Sequence, residues 1–262
     1  MGSPAFFGGQ RYARYPSTPY IVVLTGGAAN TKGSYVELIS STAFQTFSVR
    51  IHLNNVDNSD ALVDIAIGAA ASEQIIVANV PADRATVSRS LTIPLPLALP
   101  AGTRISARVQ KTAGATDVYS SIEICATSAL GRSSLQRCIT YGAATADSGG
   151  TSVNPGGTPG TKGSYSEITA STTTPIEYLL LCIGNQNNGA RTQGYFALDV
   201  AIGAAGSEQR IILDETLYSS SSQEIAPEHL PFEVDILAGS RLACRAQSQT
   251  TNTFDVVLLG VG

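Results

Sequence analysis

Histidines are the first side chains in this sequence that could do chemistry, because an imidazole is the commonest general base for a serine hydroxyl. The chain contains two, His52 and His229. They occupy unmatched positions in the internal repeat described below, so we interpret His52 as a solvent-facing strand residue and His229 as a loop residue. The histidines therefore predict no catalytic residue.

Acidic residues are the second possibility, because a pair of carboxylates can cleave a glycosidic bond. Asp64 and Asp199 recur at matching positions of the repeat, but neither strand carries a nearby partner acid. We interpret both as structural residues, each in an exposed ion pair with a repeated arginine. Such a pair contributes about 0–1 kcal/mol, so it fits a device for strand register or docking better than one for stability. The candidate pairs are Asp64 with Arg104 or Arg108 and Asp199 with Arg241 or Arg245.

Motifs for metals and phosphates are incomplete or absent. Asp57, Asn58 and Asp60 weakly resemble a calcium loop, but the 12-residue ligand spacing is missing. Lys32-Gly33-Ser34 precedes a strand-like run, and neither glycine-rich phosphate-binding motif occurs. The sequence therefore predicts no cofactor and no metal, with calcium as a minor alternative.

An internal repeat is the strongest feature of the chain. Three blocks recur in the same order, and their offset grows from 130 to 135 to 137 residues, which places short insertions in the intervening loops. We infer a duplicated domain of about 100 residues. The blocks are TKGSY at 31–35 and 161–165, DIAIGAAASEQ at 64–74 with DVAIGAAGSEQ at 199–209, and AGTRISARVQ at 101–110 with AGSRLACRAQ at 238–247.

Apolar residues within each copy follow a period of two, which is typical of half-buried antiparallel strands. Val49, Ile51 and Leu53 alternate with polar residues, and clusters of Asn and Gly separate the strand-like runs. No segment shows a helical stripe. The predicted fold is all-β, with two tandem Greek-key or jelly-roll-like β-sandwich domains and an extended N-terminal arm.

Domain boundaries follow from the repeat. We predict an arm at 1–19, copy one at 20–125, a connection at 126–137, and copy two at 138–262 with a Gly/Pro-rich loop at 145–160. The arm is rich in aromatic and basic residues, the types that dominate interface energies. Its predicted interface residues are Phe6, Phe7, Arg11, Tyr12, Arg14 and Tyr15.

Composition limits the compartment and the partners. The first twenty residues hold no apolar signal segment, so we expect synthesis in the cytoplasm. The most apolar stretch, Leu91–Leu99, is far shorter than the ~20 residues of a spanning helix, and a net charge of −4 offers no basic field. We predict neither a membrane nor a nucleic-acid partner. The four cysteines are interpreted as buried free thiols, with a Cys182–Cys244 bridge as the alternative; they are Cys125, Cys138, Cys182 and Cys244.

The phrases at 64–74 and 91–110, in a tandem β-chain with 14% charged residues and one methionine, resemble accessory virion proteins of tailed bacteriophages. The resemblance extends over residues 20–262. It implies a head-decoration, neck or collar, or tail protein, a class that is generally non-enzymatic and multimeric. The chain departs from a receptor-binding fibre because it lacks a coiled-coil or collagen-like stretch.

The expected function is therefore that of a non-enzymatic structural component of a tailed-phage virion, made in the host cytoplasm. Expected partners are other virion proteins, such as capsid, neck or tail subunits, and further copies of the chain in a homo-oligomer. The alternative is a carbohydrate-binding or host-attachment module with a glycan ligand, and a glycan hydrolase is a more distant third possibility.

Overall fold

A computed structural model describes most of the chain. All regular secondary structure in these residues is β-strand, so the predicted all-β sandwich class is confirmed. No helix in this part of the chain is long and apolar enough to cross a membrane. The described residues are 5–7, 10–16, 21–55, 60–82, 91–112, 117–126, 137–184, 194–219, 226–227, 232–249 and 253–262.

The described residues divide into two compact units, unit 1 from 1–139 and unit 2 from 140–260. The boundaries derived from the repeat stay predictions, and most of the 126–137 connection lies outside the described residues. The first ten strands are β1 (Ala5–Phe7), β2 (Gln10–Tyr15), β3 (Val22–Thr25), β4 (Val36–Ile39), β5 (Ser48–Asn55), β6 (Ala61–Ile67), β7 (Gln74–Pro81), β8 (Leu91–Leu95), β9 (Ile105–Lys111) and β10 (Asp117–Cys125). The others are β11 (Cys138–Tyr141), β12 (Thr151–Val153), β13 (Ser166–Thr169), β14 (Ile176–Gly184), β15 (Gly194–Ile202), β16 (Gln209–Ser219), β17 (Ala226–Pro227), β18 (Phe232–Ile236), β19 (Leu242–Ser248) and β20 (Phe254–Val261).

Unit 1 contains two antiparallel strand sets. One has the order β1-β2-β10-β5-β8, with β3 also paired to β10, and the other has the order β4-β9-β6-β7. Along β5 the side chains alternate as predicted, because Val49, Ile51 and Leu53 are buried while Arg50 is exposed. This alternation gives the first strand set one face in the core and one face outside it.

The central strand β9 is buried on both faces, which differs from the half-buried strand that its sequence predicts. Ser106 and Gln110 are 0% and 3% exposed although they alternate with the apolar residues of the strand. Their face is covered because the segment that bears Lys32 and Tyr35 crosses it, with Tyr35 stacked against Arg108 of β9. The repeated TKGSY segment is thus part of the packing of the second strand set.

Unit 2 has strands in the order β13-β19-β15-β16 and a second set in the order β17-β14-β20-β11, where β12 also pairs β20 and β18 also pairs β14. The first set follows the order that β4, β9, β6 and β7 have in unit 1, and the second follows that of β8, β5, β10 and β2. The same strand order in both units is what a duplication predicts; the duplication itself stays a prediction.

The described part of the predicted N-terminal arm is not an extended segment. Residues 5–7 and 10–15 form a hairpin, and β2 pairs with β10 from Tyr12 opposite Cys125 to Tyr15 opposite Ile122. The reason is that β10 would otherwise present unpaired backbone groups, which are costly where they are buried and hazardous where they are exposed. The segment predicted to reach a neighbour is therefore a strand of unit 1 itself.

The Gly/Pro-rich run at 145–160 is likewise more than a loop. Residues 151–153 form β12, which pairs with Val256, Asp255 and Phe254 of β20. Val153 is fully buried. The run therefore supplies a strand to unit 2 in the position that β3 has in unit 1.

Candidate functional site

The two repeated aspartates lie opposite repeated arginines on neighbouring strands. Asp64 of β6 is the cross-strand partner of Arg108 on β9, and Asp199 of β15 is the partner of Arg245 on β19. The distance from arginine Nε to aspartate Oδ2 is 2.9 Å in both units. Of the two arginines that the sequence left open in each copy, these are the ones that contact the aspartate.

The aspartates are buried, so the expectation of an exposed ion pair is wrong. Asp64 is 2% exposed and Asp199 is 0% exposed. In each unit a lysine that was not predicted to contact the aspartate covers it. The Lys32 Nζ lies 2.8 Å from Asp64 Oδ1, and the Lys162 Nζ lies 2.8 Å from Asp199 Oδ1. Each lysine also donates to a strand carbonyl, that of Leu62 in unit 1 and, in unit 2, that of Ala197.

Two further contacts complete each cluster. The backbone N–H of Asn79 donates to Asp64 and that of Asp214 donates to Asp199, each at 2.9 Å. Both donors have positive φ, 52° at Asn79 and 51° at Asp214, at a bulge in the strand pairing, which turns the N–H towards the carboxylate. We call each aspartate with its lysine, arginine and stacked tyrosine a charge cluster. The tyrosines are Tyr35, 4.6 Å from Arg108, and Tyr165, 4.7 Å from Arg245.

In the charge cluster of unit 2 the aspartate is held in its ionised form. Burial opposes the charge of Asp199, but hydrogen bonds from Lys162, the Asp214 N–H and Arg245 outweigh it and lower the pKa of the carboxyl. Burial lowers the pKa of Lys32, against the attraction of Asp64. Because the Asp199 carboxylate is saturated with donors and held below its ordinary pKa, it cannot act as a general acid, and we interpret its role as structural.

The signal that could have identified the lysines is the repeated TKGSY block. Its glycine is required by space, because a Cβ on Gly33 would lie 2.1 Å from the Thr25 carbonyl oxygen and one on Gly163 would lie 2.2 Å from that of Asn154. The N–H groups of the two glycines donate to the equivalent strands β9 and β19. The close approach brings the preceding lysine over the sheet.

A second arginine network also recurs. The other repeated arginine of each unit bridges two glutamates and a backbone carbonyl, which ties the edge strand to the turn after β6 or β15. The contacts are Arg104 with Glu37 at 2.8 Å, Glu73 at 3.3 Å and Gly68 O at 3.1 Å, and Arg241 with Glu167 at 2.7 Å, Glu208 at 3.2 Å and Gly203 O at 3.1 Å.

A different group of polar side chains lies on the solvent side of the first strand set of unit 1, which we call the outer face. Tyr12 and Arg14, two of the predicted interface residues, are exposed on this face, whereas Tyr15 is half-buried on the other. The side chains of Phe6, Phe7 and Arg11 lie outside the described residues, as do His229, Asp57 and Asn58. The outer face comprises Tyr12, Arg14, Val23, Arg50, His52, Thr92, Tyr119, Ser121 and Glu123.

Glu123 is the centre of the outer face and is 8% exposed. Its Oε1 accepts a 2.5 Å hydrogen bond from the Tyr12 hydroxyl, and Arg50 Nη1 lies 3.6 Å from Oε2. Burial opposes its charge, but the contacts from Tyr12 and His52 lower the pKa of the Glu123 carboxyl. Burial and the nearby carboxylate raise the pKa of Tyr12 to about 12. The carboxylate is therefore charged and fixed in position at neutral pH.

His52 is a strand residue on the solvent side of its sheet, as interpreted from the sequence, but it is half-buried between Glu123 and a hydroxyl. Its side chain is 13% exposed. Nδ1 is 2.9 Å from Thr92 Oγ1, and Nε2 is 3.2 Å from Glu123 Oε1. Burial, the largest influence, lowers the pKa of His52, so the imidazole is neutral at neutral pH.

The described residues meet neither the requirements of a metal site nor those of a reactive thiol. No group of three or more His, Cys, Asp or Glu side chains there is placed to hold a metal ion. Burial raises the pKa of Cys138 and of Cys244, which leaves both as unreactive thiols. Cys182 and Cys244 are both free, so the alternative of a bridge between them is not formed.

No protein-family model matches the sequence, and no curated protein matches it either. Among solved structures, the major capsid protein P2 of bacteriophage PM2 has a TM-score of 0.36 and 8% identity, over 92% of this chain and 98% of that one. PNGase F, a glycosylasparaginase from Flavobacterium meningosepticum, has a TM-score of 0.38 and 10% identity, over 92% of this chain and 95% of that one. At these scores neither protein assigns an activity to this chain.

The prediction that the chain is not an enzyme is corrected by the second of these findings. An amidase is among the matched structures, and a missing sequence motif is no ground for excluding catalysis. The prediction came from the absence of a histidine or acid motif in the sequence. This reasoning fails because His52 and Glu123 become neighbours only across paired strands, and spacing along the sequence does not show which residues pair.

Proposed function

We propose that the protein is a structural component of a tailed-phage virion that acts through contacts with other virion proteins and with further copies of itself. The observation that carries the proposal is the composition of the outer face. Tyr12 and Val23 are 37% and 41% exposed there, and Arg14 and Arg50 are exposed beside them. Tyrosine and arginine are the residues most enriched at the energetic centres of protein interfaces.

The internal construction of the two units supports the proposal. Each unit holds a buried charge cluster that joins two strands to the TKGSY segment with the same distances. A rigid body with a preformed surface loses little conformational freedom when it binds, which favours stable assembly. The resemblance of the sequence at 64–74 and 91–110 to accessory virion proteins supports a station at the head, neck or tail of the particle.

Sedimentation tests the contact surface. The wild-type protein is expected to sediment as an oligomer, and replacement of both Arg14 and Val23 by glutamate is expected to dissociate it. Leu237→Glu is the matched control, because Leu237 is 71% exposed and belongs to unit 2 and not to the outer face. An oligomer that survives the double substitution but not the control would place the contact in unit 2 and contradict the proposed surface.

Labelled particles test the location. Gold-labelled antibodies against the chain are expected to decorate one station of the purified virion. A monomeric protein that is missing from particles and binds a glycan on an array would instead establish the carbohydrate-binding alternative.

A further inference from the structure

Thr92, His52 and Glu123 lie on three neighbouring strands of the outer face. Thr92 of β8 is directly opposite His52 of β5. His52 is in turn opposite Ser121 of β10, and Glu123 is the next residue of β10 on the same face. Hydroxyl, imidazole and carboxylate therefore follow one another across the sheet, because alternate residues of paired strands share a face.

The contacts indicate which nitrogen of His52 carries the proton and which accepts one. Nε2 of His52 faces the negative Glu123 Oε1 at 3.2 Å, so the tautomer that carries its proton on Nε2 is electrostatically favoured. Nδ1 then has a free lone pair and accepts the Thr92 hydroxyl at 2.9 Å. The Nε2 contact is not aligned as a hydrogen bond in this structure, which is common for catalytic contacts before a substrate binds.

We propose that Thr92, His52 and Glu123 form a catalytic triad in which the Thr92 hydroxyl attacks activated carboxylic esters. In the first step Thr92 Oγ1 bonds to the ester carbonyl carbon while its proton moves to His52 Nδ1. The alcohol then leaves and takes that proton, so an acyl-threonine remains. Water repeats the sequence at the acyl carbon, which releases the carboxylic acid and restores the Thr92 hydroxyl.

Access and charge at the row suit these roles. Thr92 is exposed on β8, at the edge of the outer face opposite the contact residues of β2 and β3, so an ester can reach its hydroxyl. The side chains of His52 and Glu123 are only 13% and 10% exposed. The Tyr12 hydroxyl, from the neighbouring strand β2, donates to the same Glu123 Oε1 that the imidazole faces. Arg50 lies next to His52 on the same face of β5, and its Nη1 is 3.6 Å from Glu123 Oε2, so its charge helps to hold the carboxylate.

The test uses p-nitrophenyl acetate on the full chain, with peptide mapping by mass spectrometry. The expected result is a burst of p-nitrophenolate and an acetyl group on Thr92. His52→Gln is expected to slow acetylation on the order of 10²-fold, the usual contribution of a general base, and Glu123→Gln to slow it less. Thr92→Ser is expected to keep the reaction, and Thr92→Val to abolish it.

The pH profile separates a base from a merely structural histidine. Acetylation is expected to fall as the pH drops through the pKa of His52, which lies below its ordinary value, because the protonated imidazole cannot accept the hydroxyl proton. Circular dichroism checks that each variant is folded.

Thr25 provides an internal control in the same molecule. It is also exposed on a strand that pairs with β10, but its hydroxyl donates to Asp117 Oδ1 at 2.8 Å instead of to an imidazole. Acetylation of Thr92 at the rate of Thr25, or a rate unchanged in folded His52→Gln protein, would overturn the triad.

Discussion

Lys162 is the single side chain on which the charge cluster of unit 2 most depends, because it closes the carboxylate from the side that Arg245 leaves open. Lys162→Met is expected to lower the free energy of unfolding by about 1.5–3 kcal/mol, the value of a hydrogen bond to a charged partner. Urea denaturation measures the change. Arg210→Met is the control and is expected to cost less than about 1 kcal/mol, because Arg210 is 3.9 Å from Asp199 and its side chain is 43% exposed. Equal losses in the two variants would contradict the role of the lysine.

Gly33 and Gly163 are expected to tolerate no side chain. A methyl group at either position meets a backbone oxygen, which can move only if the TKGSY segment leaves the sheet. Gly33→Ala and Gly163→Ala are each expected to cost about 1–3 kcal/mol in thermal or urea unfolding. Gly157→Ala is the matched control, since no atom lies within 4 Å of a Cβ there. A neutral effect at Gly33 would show that the segment is held more loosely than described.

The sequence could predict part of this residue-level arrangement. Asp64 and Arg108 lie in two repeated blocks, so their pairing was among the alternatives that the repeat offered. The contact of Lys32 with Asp64 could not be predicted, because a strand pattern does not show that a preceding loop segment folds over the sheet. The proximity of His52, Thr92 and Glu123 could not be predicted for a different reason. They are far apart along the chain and become neighbours only through the register of β8, β5 and β10.

At the level of strands, β2 is expected to be essential to unit 1 because it pairs with four residues of β10. Deletion of residues 1–15 is expected to lower the melting temperature and to speed hydrogen exchange at β10, from Ile122 to Cys125. Exchange in β20 of unit 2 serves as the control and is expected to stay unchanged. Protection of β10 that survives the deletion would show that the hairpin is dispensable, as an arm would be.

The strand pattern of the sequence predicted the all-β class and the alternation along β5, because both depend on local periodicity. The pattern did not predict β2 and β12 as strands, because glycines and prolines near both segments suggested an irregular chain. Their strand conformation comes from pairing with β10 and β20, which is a tertiary cause that local sequence does not carry.

For the whole molecule, acid is expected to destabilise the fold in two stages. The pKa values of His52, Glu123 and Asp199 are all lowered in the folded chain, so the unfolded chain binds more protons as the pH falls. The contribution of His52 is present above its ordinary pKa of 6.5 and is lost below it, and those of the two carboxylates are lost at lower pH. Urea unfolding as a function of pH measures this, and His52→Gln should remove the first stage alone. A stability that rises on acidification through pH 6 would contradict it.

The two units are also expected to superpose strand for strand, with Asp64 over Asp199 and Arg108 over Arg245. Their equal strand orders and equal cluster distances support this expectation. An experimental structure in which the two aspartates occupy different strands after superposition would contradict the duplication.

The positions of the lysines affect how readily amine-reactive reagents label the protein. The sequence contains three lysines, and all three are held within the units: Lys32 and Lys162 in the charge clusters, and Lys111, which is 0% exposed, with its Nζ on the Asp117 carbonyl. Amine-reactive dyes and aldehyde or succinimide cross-linkers are therefore expected to react slowly with these lysines, because the ammonium groups are ion-paired or buried and the Lys32 and Lys162 side chains are only 16% and 17% exposed. Cross-linking maps of particles made with such reagents would under-represent the contacts of this protein, and acid-directed or photoactivated reagents are better suited to it.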